Sequence, residues 1–158
     1  DCIRAIDNKK EIIIRNPKSV RPWQHVLEPL FGYILIAENT YKNIKNFDLA
    51  FNFGPSLSNC VNVKKLSELL IKNLKINKKV IYKKSLDNFY EKKYLFLNSK
   101  KINQKIKWKS KLNIKETIRL TADWYIEYLN KNNLEKKTIS QILNYLNKYY
   151  EKKSIKKT

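Results

Sequence analysis

Apolar residues recur three and four positions apart in several stretches of the chain, and this spacing predicts a largely helical fold. Residues with that spacing lie on one face of a helix, where they can pack against a core. An acid and a proline at Glu28-Pro29 mark the first turn of one such stretch. The predicted helices are the end of a helix over 1–8 and further helices over 28–39, 63–74, 99–108 with Ser99 as its cap, 114–129 and 134–150.

Shorter runs of β-branched and aromatic residues between these helices predict strands over 11–14, 49–53, 80–82 and 93–97. The second of them stops at Gly54-Pro55, a strong chain-breaking pair. Helices and strands alternate without an internal repeat or a break in composition. The pattern therefore predicts one α/β domain of mixed short strands and helices over 1–150, followed by a frayed basic tail over 151–158.

The segment 15–30 interrupts this pattern and concentrates unusual residues. Only four of the 34 basic residues are arginines, yet Arg15 and Arg21 both lie here, beside the only histidine and three of the four prolines. Arginine offers a flat, permanently charged fork that binds phosphate or carboxylate by two hydrogen bonds, and prolines hold a loop stiff. The segment therefore predicts a preformed anion site in a Pro-rich loop. The alternative is a surface turn whose arginines are solvated.

A formal net charge of +20 is typical of nucleic-acid-binding proteins, but the distribution of the charge argues against that class. The lysines are spread almost evenly, whereas a nucleic-acid surface needs clustered basic residues. An excess of Lys, Asn and Ile is also what an A/T-rich coding sequence yields. We expect no nucleic-acid partner, and a small basic nucleic-acid-binding protein stays as the alternative from another functional class.

The composition supports neither a membrane protein nor a metalloprotein. No apolar run approaches the roughly 20 residues that cross a membrane, and Cys2 and Cys60 form neither a CxxC pair nor a Cys/His cluster. We expect no membrane association, no metal site and a cytoplasmic location. The chain has no methionine, and residues 1–6 resemble the middle of an amphipathic helix, so we also expect it to be part of a longer protein.

Several motifs, in order along almost the whole chain, match those of one enzyme family. The most specific is Arg-Asn-Pro at 15–17 followed by Arg-Pro-Trp-Gln-His-Val-Leu-Glu-Pro-Leu at 21–30. The others are Ala-Phe-Asn-Phe-Gly-Pro at 50–55, Glu91 with Tyr94-Leu95, Ser99-Lys100 opening a helix to Trp108, Thr-Ala-Asp-Trp-Tyr at 121–125 and Thr-Ile-Ser-Gln-Ile at 138–142. With them the chain resembles the C-terminal, substrate-binding half of extended short-chain dehydrogenase/reductases that act on nucleotide sugars, and within these the CDP-glucose 4,6-dehydratase branch. Asn98, Lys92 and Lys93 depart from the family pattern.

The resemblance implies substrate-binding roles for five residues. Arg21 is expected to contact the diphosphate of the nucleotide sugar, which agrees with the anion site predicted from the residues themselves. Alternatives stay open for three of the other four: the Trp23 ring packs beneath the loop, His25 is a hydrogen-bonded structural residue, and Glu91 pairs with neighbouring lysines. Arg15 is the fifth residue that is expected to bind the substrate. Glu28 is expected to be an acid at a helix start, stabilised by the exposed N–H groups there.

The resemblance also implies an NAD-dependent parent enzyme that converts CDP-glucose to CDP-4-dehydro-6-deoxyglucose and forms a homo-oligomer; another nucleotide-sugar dehydratase or epimerase of the superfamily is the alternative. The Rossmann half that would bind NAD has no counterpart here, because neither Gly32 nor Gly54 lies in a GxGxxG turn. Tyr-x-x-x-Lys occurs at 41–45 and 149–153, as often as chance predicts in so lysine-rich a chain. We therefore assign no catalytic, cofactor-binding or metal-binding residue, and expect the isolated chain to be inactive.

Overall fold

The structure is a computed structural model that describes residues 1–42, 50–83 and 92–154. Within them the chain forms six helices, four short strands and a 3-10 turn at Leu57–Asn59. The helices are α1 (Cys2–Asp7), α2 (Leu27–Lys42), α3 (Val63–Leu74), α4 (Lys100–Ile106), α5 (Ile114–Leu129) and α6 (Leu134–Ser154). The strands are β1 (Ile12–Arg15), β2 (Val20–Pro22), β3 (Cys60–Asn62) and β4 (Val80–Lys83).

The described strands form two separate two-stranded sheets. β1 runs parallel to β4, with Ile12 opposite Val80 and Arg15 opposite Lys83. β2 runs antiparallel to β3, and Val20 also makes a single parallel bridge to Tyr94. A parallel pair needs a long crossover connection, and here α2, the second sheet and α3 lie within that crossover.

Side-chain caps fix where two of the helices begin. Asn113 accepts a hydrogen bond from the Glu116 backbone N–H at 3.0 Å, and the Glu116 carboxylate accepts one from the Asn113 N–H at 2.9 Å, which is a complete capping box for α5. Asn62 accepts from the Lys65 N–H at 2.8 Å and begins α3 in the same way. α3 packs against α5, and α5 packs against α6.

The core lies where α2, the α4 region and α6 meet. The Phe31 ring is 4.2 Å from the Tyr149 ring and 5.8 Å from the Tyr145 ring, and the Trp108 ring is 4.9 Å from the half-buried Phe53 ring. Burial of these large rings stabilises this part of the fold. The buried cluster consists of Phe31, Leu35, Ile102, Trp108, Leu112, Tyr145 and Tyr149.

The mixed α/β class predicted from the sequence is confirmed, and so are the six helices and the strands β1 and β4. The fourth helix is shorter than predicted and spans Lys100–Ile106. α6 continues to Ser154, four residues beyond its predicted end, while 155–158 of the predicted tail lie outside the described residues.

Four local predictions are wrong. Residues 50–53 form no strand, although Leu49 lies outside the described residues, and 93–97 contribute only the bridge at Tyr94. The supposed Pro-rich loop contains β2, and Arg15 ends β1. Ser99 does stand at the N-cap position of α4, but its hydroxyl bonds the Gly54 backbone instead of capping the helix, because Gly54 N–H lies only 2.7 Å from it.

Candidate functional site

Arg21 lies in the middle of β2 and is anchored at its guanidinium. Its Nη1 donates to the Val20 carbonyl at 2.8 Å and to the Lys92 carbonyl at 3.1 Å. The second bond crosses to a segment 71 residues away in sequence. The side chain is therefore held in place by the backbone on both sides, which limits the entropy that it would lose on binding a ligand.

The segment that follows Lys92 is hydrogen-bonded along the outer edge of β2. The Val20 N–H donates to the Lys93 carbonyl at 2.8 Å, and the Leu95 N–H donates to the Val20 carbonyl at 3.2 Å. Stretches 15–24 and 92–97 together contain Arg15, Lys18, Arg21, Lys92 and Lys93 and no acidic residue. Charge of one sign along these two stretches favours an anionic ligand beside β2.

Arg15 is placed differently from Arg21. It is the last residue of β1 and is exposed. It pairs with Lys83 of β4, in the sheet that does not contain β2. The two arginines thus belong to different sheets, although the sequence predicted a single loop for both.

Trp23 follows β2 and is half-buried. Its indole Nε1 donates to the Val61 carbonyl at 2.9 Å, which ties the residue to β3. The ring lines a cavity of about 640 Å³ together with Ile14, Leu66 and Leu70. These contacts support the alternative in which the tryptophan packs beneath the strand.

His25 is buried, with 6% of its surface exposed. Its Nδ1 accepts a hydrogen bond from the Leu27 N–H at 3.3 Å, so the neutral ring carries its proton on Nε2. Burial lowers the pKa of His25. The ring lines a cavity of about 320 Å³ between its own segment and the helices α5 and α6, with Trp124 and Gln141 on the far side. A neutral, backbone-bonded ring is the geometry of the structural alternative.

Glu28 is fully buried. Its carboxylate accepts hydrogen bonds from the chain before α5, and not from the first turn of its own helix as predicted. Its Oε1 accepts from the backbone N–H groups of Lys111 at 2.8 Å and Leu112 at 2.7 Å, and its Oε2 accepts from Lys111 at 3.0 Å. Trp108 Nε1 donates to its carbonyl at 3.3 Å. Burial raises the pKa of Glu28 against the lowering effect of these backbone hydrogen bonds. The expectation that N–H groups of its own helix stabilise the carboxylate is wrong, because the side chain reaches the chain that enters α5.

The remaining sequence-predicted candidates give no second site. Glu91 lies outside the described residues, as does Lys45 of the first Tyr-x-x-x-Lys match. Tyr41 lies in the last turn of α2 with 87% of its surface exposed, and Tyr149 is buried in the core. Burial raises the pKa of Tyr149, and no substrate can reach a ring packed on Phe31.

The described residues do not fit a dinucleotide. Such a site needs a glycine turn that lets the backbone approach a pyrophosphate. Gly32 lies inside α2 against the Phe53 ring, Gly54 lies against Leu97, and neither has a positive φ. Across 1–42, 50–83 and 92–154, no cluster of His, Cys, Asp or Glu could hold a metal ion. In the same residues no helix is both long and apolar enough to cross a bilayer.

One feature of the segment that pairs with β2 was not predicted from the sequence. The rings of Tyr94 and Phe96 lie 6.3 Å apart with an interplanar angle of 10°, and about half of each residue is exposed. The Lys93 ammonium lies 5.3 Å from the centre of the Tyr94 ring. The signal was the alternation Tyr94-Leu95-Phe96-Leu97, which places the two aromatic rings on one face of an extended segment.

Comparison with known proteins supplies the family context. The sequence is 33% identical over 125 residues, 79% of this chain, to CDP-glucose 4,6-dehydratase of Salmonella typhimurium, and the chain spans about a third (34%) of that relative's length. The fold is similar to that of RMD from Pseudomonas aeruginosa, solved in complex with NADPH, with a TM-score of 0.60 and 13% identity, over 80% of this chain and 40% of that one. No family model matches the sequence. The resemblance predicted from the motifs is thereby confirmed.

Proposed function

We propose that this chain, a relative of CDP-glucose 4,6-dehydratase, binds the diphosphate of a nucleotide sugar through Arg21 and acts as the substrate-binding portion of a dehydratase of that kind. The substrate we propose is CDP-glucose and the product CDP-4-dehydro-6-deoxyglucose. The observation that carries the proposal is the anchored guanidinium of Arg21 on β2, a strand whose own stretch and whose partner segment 92–97 are rich in positive charge.

The charge and geometry of this edge suit a diphosphate. A guanidinium binds phosphate oxygens in a planar, two-pronged manner that a lysine ammonium cannot reproduce. Lys92 and Lys93 lie on the segment hydrogen-bonded to β2, so their charges add to that of Arg21 over a short distance. Arg15 and Lys18, on the same stretch of chain, extend the positive field toward β1.

Three residues that follow β2 contribute by holding the strand in place. Trp23 ties the residue after β2 to the Val61 carbonyl of β3, opposite Arg21 in register. His25 bonds the first residue of α2, and Glu28 ties that helix to the chain before α5. In this proposal Arg21 touches the ligand, while Trp23, His25 and Glu28 keep its strand in place.

The cofactor belongs to another part of the enzyme in this proposal. Neither glycine of the chain lies in a turn that suits a dinucleotide, and the chain spans about a third of its relative's length. We therefore expect no 4-keto sugar when the 158-residue chain is incubated with CDP-glucose and NAD⁺. The alternative within the class is another nucleotide-sugar dehydratase or epimerase of the superfamily.

The test is calorimetry of CDP-glucose binding to the chain and to Arg21→Lys. The substitution keeps the charge and removes the fork, so binding should weaken about ten- to hundredfold, since a hydrogen bond to a charged group is worth about 1.5–3 kcal/mol. The matched control is Arg119→Lys on α5, where an exposed arginine pairs with Asp123, and its affinity should not change.

Three results would contradict the proposal. One is an unchanged affinity of Arg21→Lys for CDP-glucose, which removes Arg21 from the site. Another is an equal loss in Arg119→Lys, which shows a general charge effect. The third is binding of duplex DNA with a steep salt dependence and no preference for the nucleotide sugar, which favours the nucleic-acid alternative.

A further inference from the structure

The buried ring of His25 keeps one hydrogen-bond donor that no other group uses. Its Nδ1 accepts from the Leu27 N–H, so the proton is on Nε2, and across the described residues nothing accepts a bond from that Nε2–H. In the same part of the structure the amide nitrogen of Gln24 is buried without a partner. Both residues line the cavity of about 320 Å³ that His25 shares with α5 and α6. Buried donors without partners are rare in folded proteins, so this wall suits a ligand with an acceptor oxygen.

Gln141 supplies an acceptor on the opposite wall of the cavity. The residue lies on α6 with 6% of its surface exposed. Its Nε2 donates to the Leu120 carbonyl at 2.7 Å, and this bond fixes which end of the amide is which. Oε1 is the other end, and no group within the described residues donates to it. One cavity is therefore lined by a fixed donor and a fixed acceptor, each on a side chain that is more than nine-tenths buried.

The other residues around the cavity are uncharged, and several of their polar groups are already paired. The hydroxyls of Thr121 and Thr138 donate to backbone carbonyls of their own helices at 2.8 and 2.7 Å. Trp124 Nε1 donates to the Thr138 hydroxyl at 2.9 Å, which leaves the indole ring as an apolar wall. The Tyr125 ring lies edge-on to it at 5.3 Å. No acidic or basic side chain lines the cavity.

We propose that this cavity binds a small uncharged molecule that carries a carboxamide on a flat ring. The carboxamide oxygen accepts from His25 Nε2–H, its N–H donates to Gln141 Oε1, and the ring packs on Trp124. An anion is disfavoured, because burial of a charge without a counter-ion is costly. Ligand cavities span about 300–1,000 Å³, so this one suits a single substituted ring and not a whole nucleotide sugar. Arg21 does not line it, and the inference is independent of the proposed function.

The experiment titrates the 158-residue chain with three probes of one shape and follows the indole N–H of Trp124, one of three tryptophans, by NMR. Benzamide should bind with about millimolar affinity, as expected for so few atoms. Acetophenone has the same outline but a methyl group in place of the amide nitrogen, so it should bind about three- to tenfold more weakly. Benzoate is charged and should bind at least about tenfold more weakly.

Two variants connect each probe to one wall of the cavity. Gln141→Leu removes the acceptor, so benzamide should weaken about three- to tenfold while acetophenone, which never used it, stays unchanged. His25→Asn keeps an acceptor for the Leu27 N–H and loses the Nε2 donor, so both probes should weaken. Gln104→Leu, an exposed glutamine on α4, is the matched control and should bind like the unaltered chain.

Four results would overturn the inference. The first is a Trp124 indole signal that does not respond to benzamide. The second is equal binding of benzamide and acetophenone, or of benzamide and benzoate, since the cavity then selects neither a donor nor a neutral ligand. The third is an equal loss of benzamide and acetophenone in Gln141→Leu, which makes the residue a support of the wall. The fourth is displacement of benzamide by CDP-glucose or NAD⁺, which would merge the cavity with another site. None of these results depends on Arg21, so the proposed function is judged by its own test.

Discussion

Arg21 and Glu28 stand seven residues apart on one segment and lie in opposite surroundings. Arg21 is a half-buried cation on β2, with backbone carbonyls as hydrogen-bond partners and further basic residues on its own and the neighbouring stretch. Glu28 is an anion with no exposed surface, held by backbone N–H groups in the core. The difference shows how a short segment can present a charge to a ligand at one end because a buried charge fixes its other end.

Removing a side chain should lower stability at the Glu28 end of the segment and ligand affinity at the Arg21 end. At the Glu28 end, water cannot replace a missing partner, so each unpaired group carries its full desolvation cost. At the Arg21 end, water reaches the carbonyls, and the loss falls on binding. Substitutions along the segment should therefore change from effects on stability to effects on affinity.

The largest effect is expected at Glu28. Glu28→Ala leaves the N–H groups of Lys111 and Leu112 unpaired in the core and opens a cavity, so the free energy of unfolding should fall by about 3–5 kcal/mol. Glu28→Gln keeps one acceptor oxygen and should lose about half as much. Urea midpoints measure both. The control is Glu68→Ala on the exposed face of α3, where the change should stay below about 0.5 kcal/mol; an equal change in the two alanine variants would show that Glu28 does not fix the segment.

A smaller effect is expected at Trp23, between the two ends. Trp23→Phe removes the bond to the Val61 carbonyl and part of the buried ring, which should cost about 1–2 kcal/mol of stability. Affinity for CDP-glucose should fall less than threefold, because the ring packs beneath the strand and does not touch the ligand. Trp124→Phe, which loses a bond to Thr138, serves as the control for stability. A tenfold loss of affinity with full stability would make Trp23 a substrate-binding residue.

The smallest effect is expected from the protonation of His25. Burial lowers its pKa below the ordinary value of 6.5, so the neutral ring stabilises the fold above pH 6.5 and that stabilisation is lost as the pH falls. The pH dependence contributed by Glu28 has the opposite sign. Because burial raises its pKa, the stability of the fold decreases as the pH rises above 4.5. His25→Asn keeps an acceptor for the Leu27 N–H and cannot titrate. The melting temperature of the unaltered chain should therefore fall more between pH 7.5 and pH 5.5 than that of His25→Asn, whereas parallel curves would contradict the assignment.

Periodicity predicted the longer elements because their signals are local. α5 has an apolar stripe and a capping box within its own sequence, and α3 has Asn62 before an amphipathic run. The failures occurred where a partner far along the chain decides the conformation. β2 contains Pro22 and spans three residues, and it is a strand only because β3 and the 92–95 segment pair with it. Ser99 is a good cap by type, yet Gly54 captures its hydroxyl.

The candidate site also has features that the sequence predicted and features that only the structure reveals. The scarcity of arginine and the motif around Arg21 indicated an anion site, and the structure adds the fixed guanidinium on which the proposal rests. No local pattern could show that the Glu28 carboxylate bonds Lys111 and Leu112, because more than eighty residues separate the partners. The Tyr94–Phe96 pair was visible as an alternation, but its place beside β2 depends on the bridge to Val20.

The packing of Phe31 on Tyr145 and Tyr149 has a consequence for how the chain folds during synthesis. The rings that cover α2 belong to the last helix, more than a hundred residues later in the sequence. Contacts of such long sequence separation form late, after the chain has paid the entropy of closing a large loop. While the ribosome is still making α6, Phe31 lacks its contacts with Tyr145 and Tyr149 and is more exposed to chaperones and proteases. The speed of synthesis between the codons of α2 and those of α6 should therefore influence the yield of folded protein.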